Sequence, residues 1–187
     1  MMKPFKKRLI GIIILIIFGL CASVYAKKLY TDATIKEGDI IFQISKSRQS
    51  IAVQWATGSI YSHCGVIVEK EGEFYVLEAS NVVKLTPYKE WCKRGRFGYY
   101  TTRRITDNDI KIEYDKYLGI PYDLAFKFNN GKYYCSELVW VIYKEQFNIE
   151  ICEPRPVKEY NIDRFKELME KRNISEDQLV VAPSDLL

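Results

Sequence analysis

Two runs of β-branched and aromatic residues around a short polar tip constrain the fold of this chain more than any other feature. The runs span residues 61–68 and 74–80, and the tip between them contains Gly72. This pattern predicts an antiparallel β-hairpin. A loop centred on Lys70 and Glu71 places Glu78 directly across from His63, and a bulge at Gly72 shifts the pairing by one or two residues.

His63 is the only histidine in the chain. A lone histidine near a strand is usually a structural residue, and Glu78 is by default an ordinary cross-strand acid. A carboxylate beside the imidazole is nevertheless what a general base needs, because the carboxylate fixes the ring's orientation and tautomer. Side chains alternate along a strand, so Cys64 is expected to point away from the imidazole and into the core.

A second cysteine stands where a loop gives way to an apolar helical pattern. The loop signal is Asn129-Asn130-Gly131, and apolar residues recur at helical spacing from Leu138 to Tyr143. Cys135 is therefore predicted in the first turn of a helix. Free backbone N–H groups and the helix dipole favour a thiolate there, and the thiolate is the reactive form of cysteine. A small buried residue is the alternative interpretation.

The remaining elements follow from shorter patterns. We predict strands at residues 38–44, 82–85 and 99–105, helices at residues 47–57, 107–118 and 163–171, a short turn or helix from Pro87 to Trp91, and an apolar tail at residues 179–187 that packs on the core.

The first 26 residues are typical of an export signal. Four basic residues between Lys3 and Arg8 precede an apolar run, and Val24-Tyr25-Ala26 offers a cleavage site. The uncharged run from Leu9 to Ala26 is also just long enough for an uncleaved membrane anchor. The predicted organisation is a leader or anchor at 1–26, a linker at 27–36 and one domain at 37–187, placed in the periplasm or cell envelope.

The net charge of the chain without its leader gives no support for a nucleic-acid-binding function. The leader carries four of the 28 basic residues and no acidic one, so the remainder is neutral, with 24 residues of each sign. The charge therefore gives no indication of nucleic-acid binding. A local basic patch (Lys93, Arg94, Arg96, Arg103, Arg104) is by default a solvated face, with contact to an anionic substrate or envelope surface as the alternative.

Four cysteines remain outside the leader: Cys64, Cys92, Cys135 and Cys152. Their even number permits two disulfides in an exported protein, and a structural disulfide role for Cys135 stays open. The spacing matches neither a zinc site nor a disulfide scaffold, and no metal or other cofactor is expected.

Several segments taken together resemble a known family. Gly38-Asp39-Ile40-Ile41-Phe42, residues 56–66 around Ser62-His63-Cys64-Gly65, Val76-Leu77-Glu78-Ala79, Gly119-Ile120-Pro121-Tyr122-Asp123 and Tyr133-Tyr134-Cys135-Ser136-Glu137 occur in the order typical of the YiiX/YaeF-like permuted papain-like cysteine hydrolases of the NlpC-type superfamily. The similarity covers residues 36–143. Cys64 departs from the pattern, because the family more usually has an aliphatic residue there.

The resemblance implies an α+β fold, circularly permuted and papain-like, with an antiparallel sheet or partial barrel packed against helices. It implies Cys135 as nucleophile, His63 as base and Glu78 as the orienting residue. Tyr61, Tyr134 and Tyr122 are candidate substrate contacts, the first two also as donors to a developing oxyanion.

The expected substrate is a peptide-like or amino-acid-containing amide of the cell envelope. A lipid ester or amide is the alternative substrate, in which case the site is that of an acyl hydrolase or acyltransferase. A non-catalytic envelope-binding module is the alternative of another class, and association with the membrane surface or cell wall is expected as a possibility for either.

Overall fold

The computed structural model describes the backbone of residues 4–187 and side chains from residue 9 onward. The chain divides into two units, residues 1–35 and 36–187. The described part of the first unit is formed by one helix, α1 (Pro4–Thr34). The segment predicted as a linker is therefore helical as far as Thr34. The basic side chains between Lys3 and Arg8 lie outside the described part.

Helix α1 is long and apolar enough to cross a membrane. The qualifying stretch, Leu9–Thr34, has 26 residues and a mean hydropathy of 2.7. At 1.5 Å per residue it extends about 39 Å, more than the hydrocarbon core of a bilayer. The helix is thus compatible with either a signal sequence or an anchor.

The second unit is built on a five-stranded antiparallel sheet. The strands are β1 (Ile40–Gln43), β2 (His63–Lys70), β3 (Glu73–Ala79), β4 (Val83–Pro87) and β5 (Tyr100–Arg103). Their order is β4-β3-β2-β1-β5, so the sheet is open rather than a closed barrel. The predicted strands are confirmed, each within a few residues.

The hairpin of β2 and β3 is confirmed, but its predicted register is wrong. Lys70 pairs with Glu73, and the two-residue turn between them uses positive φ angles at Glu71 and Gly72. Such a turn matches the twist of the strands. It shifts the pairing by two residues, so Glu78 lies diagonally from His63. An even shift keeps both side chains on the same face of the sheet.

Helices cover the sheet and enclose the core. They are α2 (Ser50–Thr57), α3 (Tyr88–Arg94), α4 (Cys135–Phe147) and α5 (Lys166–Lys171). Helix α4 packs against β2 and β3, and its Leu138, Val139 and Ile142 are fully buried. The mixture of helices and antiparallel sheet confirms the predicted fold class.

The helix predicted at residues 107–118 is wrong, since the structure has only a 3-10 turn at Asp115–Tyr117 there. Backbone N–H groups that a helix would use internally are bound by side chains from elsewhere. That of Ile112 donates to Glu37, and that of Glu113 donates to Gln146. Tertiary hydrogen bonds therefore replace the helical ladder, although the local sequence favours a helix.

The C-terminal segment forms a small second core. It contains α5, which a 3-10 turn at Asp163–Phe165 precedes, and a two-stranded sheet of β6 (Arg155–Pro156) and β7 (Leu179–Val180). Val181 and Leu186 of the predicted apolar tail are buried in the main core, which confirms that the tail packs there.

Candidate active site

Helix α4 and strand β2 bring the predicted nucleophile and base together. Cys135 is the first residue of α4 and His63 the first residue of β2, and the helix packs on that strand. Each of the two groups shifts the pKa of the other, so the thiol and the imidazole lie within interaction distance. Cys135 is buried, with 5% of its surface exposed. The two groups are thus in contact at the edge of the core, about 70 residues apart in sequence.

Glu78 is the second partner of the imidazole. His63 Nε2 lies 2.6 Å from Glu78 Oε2, and the carboxylate has no exposed surface. Since Nε2 faces the carboxylate, Nδ1 is the nitrogen left for the Cys135 thiol. The ring of Trp91 stacks beside the imidazole at a centroid distance of 6.0 Å. The ring therefore has one orientation, in which it bridges carboxylate and thiol.

Three further side chains hold the Glu78 carboxylate. Thr86 Oγ1 donates to Oε1 at 2.6 Å, Trp91 Nε1 donates to Oε2 at 3.0 Å, and the Arg94 guanidinium forms an ion pair with Oε2. A buried charge requires such compensation. The carboxylate is consequently fixed in position and ionised.

The charges in this group reinforce one another. Burial alone would lower the pKa of His63, but its hydrogen bonds to Cys135 and Glu78 raise that pKa to about 9. Burial alone would raise the pKa of Glu78, but His63, Arg94 and Thr86 hold it well below its usual range. An imidazolium between two anions is the favoured state near neutral pH.

Cys135 is the third member of this charged group. Its pKa is held well below that of an ordinary thiol, first by a hydrogen bond from the Cys64 thiol, and then by His63 against the opposing effect of burial. The backbone N–H of Cys64 adds a further hydrogen bond. Cys64 itself is fully buried, which confirms its predicted place in the core. A thiolate at Cys135 therefore has donors from both the imidazole and its cysteine neighbour.

Replacing Cys64 with alanine tests this contribution. Because the Cys64→Ala variant loses a donor to the thiolate, we expect the pKa of Cys135 to rise. The measurement is the pH dependence of Cys135 alkylation by iodoacetamide, followed by mass spectrometry. Cys152→Ala is the matched control, since Cys152 is only half-buried and its raised pKa has no contribution from Cys135. An unchanged midpoint in Cys64→Ala would contradict the assigned role.

The three tyrosines predicted to contact substrate have different surroundings. Tyr122 lies between two cavities, and its hydroxyl accepts a hydrogen bond from Gln49 at 2.8 Å. Tyr134 is buried beside Cys135, and its hydroxyl accepts from the Val181 N–H at 3.1 Å. Tyr61 packs on Phe42 and lines neither cavity. Their roles toward substrate stay predictions, and the oxyanion role of the Tyr134 hydroxyl has no support from these contacts.

Two cavities open beside the thiol and the imidazole. The first, about 150 Å³, has Cys135 in its wall and extends between α2 and the C-terminal segment. The second, about 530 Å³, has His63 in its wall and is lined by polar and basic residues. A substrate carbonyl at Cys135 would therefore lie between two spaces of different chemistry.

A family model extends over most of the chain. The model of the permuted papain-like amidases, the YaeF/YiiX or C92 family, matches residues 34–187. The chain belongs to this family. The match includes the whole sheet, α4 and the C-terminal segment, and it confirms the resemblance given by the sequence motifs.

Two relatives of known sequence or structure support the membership. This chain is 38% identical over 160 residues to the uncharacterized protein YiiX of Escherichia coli K12. The aligned region covers 78% of each sequence. The chain also matches a crystal structure described as metalloprotein YiiX from Escherichia coli O157:H7, with 37% identity and a TM-score of 0.72. That match covers 81% of this chain and 91% of the other. The fold is therefore that of YiiX.

The described residues of this protein do not form a metal site around His63 and Glu78. Within residues 4–187, no group of three His, Cys, Asp or Glu side chains is arranged to hold a metal ion. Both oxygens of Glu78 already have donors, one of them a guanidinium that would repel a cation. No step of the chemistry below involves a metal.

Sequence reasoning missed the residues that support Glu78. Arg94 belongs to the basic patch that the sequence predicts to be solvated, but it pairs with the buried carboxylate. Arg104 of the same patch pairs with Asp39, and Arg103 donates to the carbonyl of Leu186. Three members of the patch thus have structural partners. No local pattern marks them, because each partner lies on a different element.

Proposed function

We propose that this protein is a thiol amidase in which Cys135 is the nucleophile, His63 the general acid and base, and Glu78 the residue that orients His63. The observation that carries the proposal is the contact of one imidazole with both a buried carboxylate and a thiol of lowered pKa. The family name, which describes an amidase, supports the same reaction class.

Acylation begins from the thiolate and imidazolium pair. The Cys135 sulfur attacks the amide carbon, and the carbonyl oxygen takes up negative charge. Helix α4 begins at Cys135, and N–H groups of a first helical turn have no partner within the helix. The Cys135 N–H is thus the expected oxyanion donor. The C–N bond then breaks as His63 gives the Nδ1 proton to the leaving nitrogen.

Deacylation returns the site to its starting state. The neutral His63 takes a proton from a water molecule, and the water oxygen attacks the thioester carbon. The C–S bond breaks, a carboxylic acid leaves, and the thiolate and imidazolium are restored. An acceptor other than water would make the same intermediate an acyltransferase.

The proposed site of action is the cell envelope. The N-terminal apolar helix supports export or anchoring, and a peptide-like or amino-acid-containing amide is the first candidate substrate. The apolar cavity at Cys135 favours a second candidate, in which the acyl group is a hydrocarbon chain from a lipid. A binding module that retains the fold without catalysis is the alternative of another class.

Selective alkylation distinguishes an amidase from a binding module. We expect iodoacetamide near neutral pH to label Cys135 faster than Cys64, Cys92 or Cys152, because the pKa of Cys135 is lowered whereas those of Cys64 and Cys152 are raised. A library of amides and esters is then screened with wild type and with Cys135→Ala as the blank. Hydrolysis that persists in the variant would place the chemistry elsewhere, and equal labelling of all four thiols would remove the activated nucleophile.

The pH dependence of kcat/KM follows from the two pKa shifts. The lowered pKa of Cys135 keeps the thiolate present well into the acidic range, and the raised pKa of His63 keeps its proton until about pH 9. We expect a bell-shaped profile whose alkaline limb falls near pH 9. A rate that increases only as an ordinary thiol ionises, at about pH 8.5, would contradict the ion pair.

A further inference from the structure

The two cavities meet at the reacting groups and share part of their walls. Gln49, Ser62, Tyr122 and Arg172 line both, while Cys135 lines only the first and His63 only the second. In the proposed mechanism the acyl group becomes attached to the sulfur, and the leaving amine receives its proton from the imidazole. The first cavity is thus on the acyl side and the second on the amine side.

The wall of the acyl-side cavity is apolar, and its polar side chains already have partners. Ser136 Oγ donates to the Val181 carbonyl at 2.6 Å, and the Tyr134 hydroxyl accepts from the Val181 N–H. Ser62 Oγ lies 2.6 Å from the Ser50 hydroxyl. These bonds occupy the Ser136 proton and one lone pair of the Tyr134 oxygen, and the rest of the wall consists mostly of aliphatic and aromatic side chains.

The other polar residues of that wall, which include Thr57 and Tyr160, also make hydrogen bonds within the protein. The Tyr122 hydroxyl accepts from Gln49, and Arg172 Nη1 donates to Gln49 Oε1 at 3.3 Å. No Asp or Glu among the described residues lines this cavity, so it offers no partner for the ammonium group of an amino acid. A hydrocarbon chain is the group that fits such a wall.

The size of the cavity limits the length of that chain. Its volume is about 150 Å³. An engineered apolar cavity of about this size in another protein binds benzene, a molecule of six carbons. The expected occupant is accordingly an aliphatic acyl chain of about six carbons.

The amine-side cavity has the opposite character. Lys46, Arg48, Arg94 and Arg172 line it, and no acidic residue in the described part of the chain does. Arg94 is committed to Glu78, whereas Lys46 and Arg48 are exposed. Their uncompensated positive charge favours an anion on the leaving amine.

We infer that the substrate class is an aliphatic N-acyl amide whose amine carries an anionic group. The hydrocarbon chain occupies the cavity at Cys135, and the carboxylate or phosphate of the amine lies in the basic cleft beside His63. The inference rests on the proposed function, because it assigns the two sides of that reaction.

A series of N-acylglycines tests the acyl side. Turnover of the acetyl, butanoyl, hexanoyl and decanoyl compounds is measured as kcat/KM. Each methylene buried in the cavity is expected to increase kcat/KM about fourfold, up to about six carbons. A flat series with turnover that still requires Cys135 would overturn the acyl assignment and leave the proposed amidase intact. Absence of turnover with every amide and ester would count against the proposed function itself.

Cavity variants provide the matched comparison. Ala56→Phe narrows the acyl-side cavity and is expected to lower the ratio of hexanoyl to acetyl turnover by about tenfold or more, whereas Met169→Ala enlarges it and should move the optimum to longer chains. A ratio is used because it is independent of the amount of folded enzyme. Unchanged ratios in a folded variant of either kind would contradict the assignment.

The amine side is tested by changing the leaving amine while the hexanoyl chain stays the same. N-hexanoylglycine and N-hexanoyl-phosphoethanolamine are compared with the neutral N-hexanoylglycinamide. An advantage of at least about tenfold for one or both anions, reduced by Arg48→Gln and by added salt, supports the basic cleft. Preference for the first anion indicates an amino-acid amine, and preference for the second indicates a phosphorylated amine.

Lys89→Gln is the control for Arg48→Gln, because this exposed lysine lies outside both cavities. Equal rates for anionic and neutral amines would overturn the assignment.

Discussion

Replacement of Cys135 with alanine is expected to reduce kcat/KM for amide hydrolysis by about 10⁴-fold or more. The variant lacks the atom that forms the thioester, so neither half of the reaction has a nucleophile. The cost to folding should be small, because the side chain lost is small and lies at the beginning of α4. Steady-state kinetics on a chromogenic amide, with circular dichroism as the test of folding, measure both effects.

His63→Asn provides the second half of that experiment. Nucleophile and base act as one unit, so the double variant Cys135→Ala/His63→Asn is expected to be no slower than the worse single variant. Cys152→Ala is the control for loss of a thiol elsewhere. If the reduction in kcat/KM of the double variant equals the product of the two single reductions, the two residues act independently. That result would contradict the interaction between them.

Replacement of Glu78 with leucine is expected to affect both activity and stability. Without the carboxylate, His63 loses the group that orients it and stabilises its charged form, and kcat should fall about 10³- to 10⁴-fold. Trp91 and Thr86 lose their acceptor, and Arg94 loses its ion-pair partner. We expect the free energy of unfolding to decrease by about 3 kcal/mol, at the lower end for a broken buried pair, since Arg94 reaches solvent.

A double variant separates the two effects of Glu78. Glu78→Leu/Arg94→Met removes the unpaired charge and should regain part of the lost stability, because two apolar side chains can replace an ion pair. Activity should not return, since the imidazole still has no carboxylate. Denaturant unfolding and kinetics on the same preparations test this. Recovery of activity together with stability would reduce Glu78 to a structural residue.

The central sheet and the helix that carries Cys135 could be predicted because their signals are local. Alternating β-branched residues indicated the hairpin, and an Asn-Gly loop followed by apolar helical spacing indicated α4. The hairpin pattern also predicts the contact of His63 with Glu78, although with the wrong register. The prediction was robust because a shift of two residues keeps both side chains on the same face.

Other features depend on partners that are distant in sequence. The segment at residues 107–118 has a helical pattern, but the side chains of Glu37 and Gln146 bind its backbone instead. The role of Arg94 required knowledge that α3 packs beside β3. The donor role of Cys64 depended on the approach of α4 to β2. The sequence next to Arg94 or Cys64 contains no pattern that predicts these contacts.

The most direct test of the proposed mechanism is to trap the acyl-enzyme. The protein is mixed with an activated hexanoyl ester, quenched in acid and analysed by mass spectrometry of its peptides. We predict one hexanoyl group on the peptide that contains Cys135, removable by hydroxylamine as a thioester should be, and absent from Cys135→Ala. Turnover of the ester with no acyl group on that peptide, or with the group on another residue, would contradict a Cys135 nucleophile.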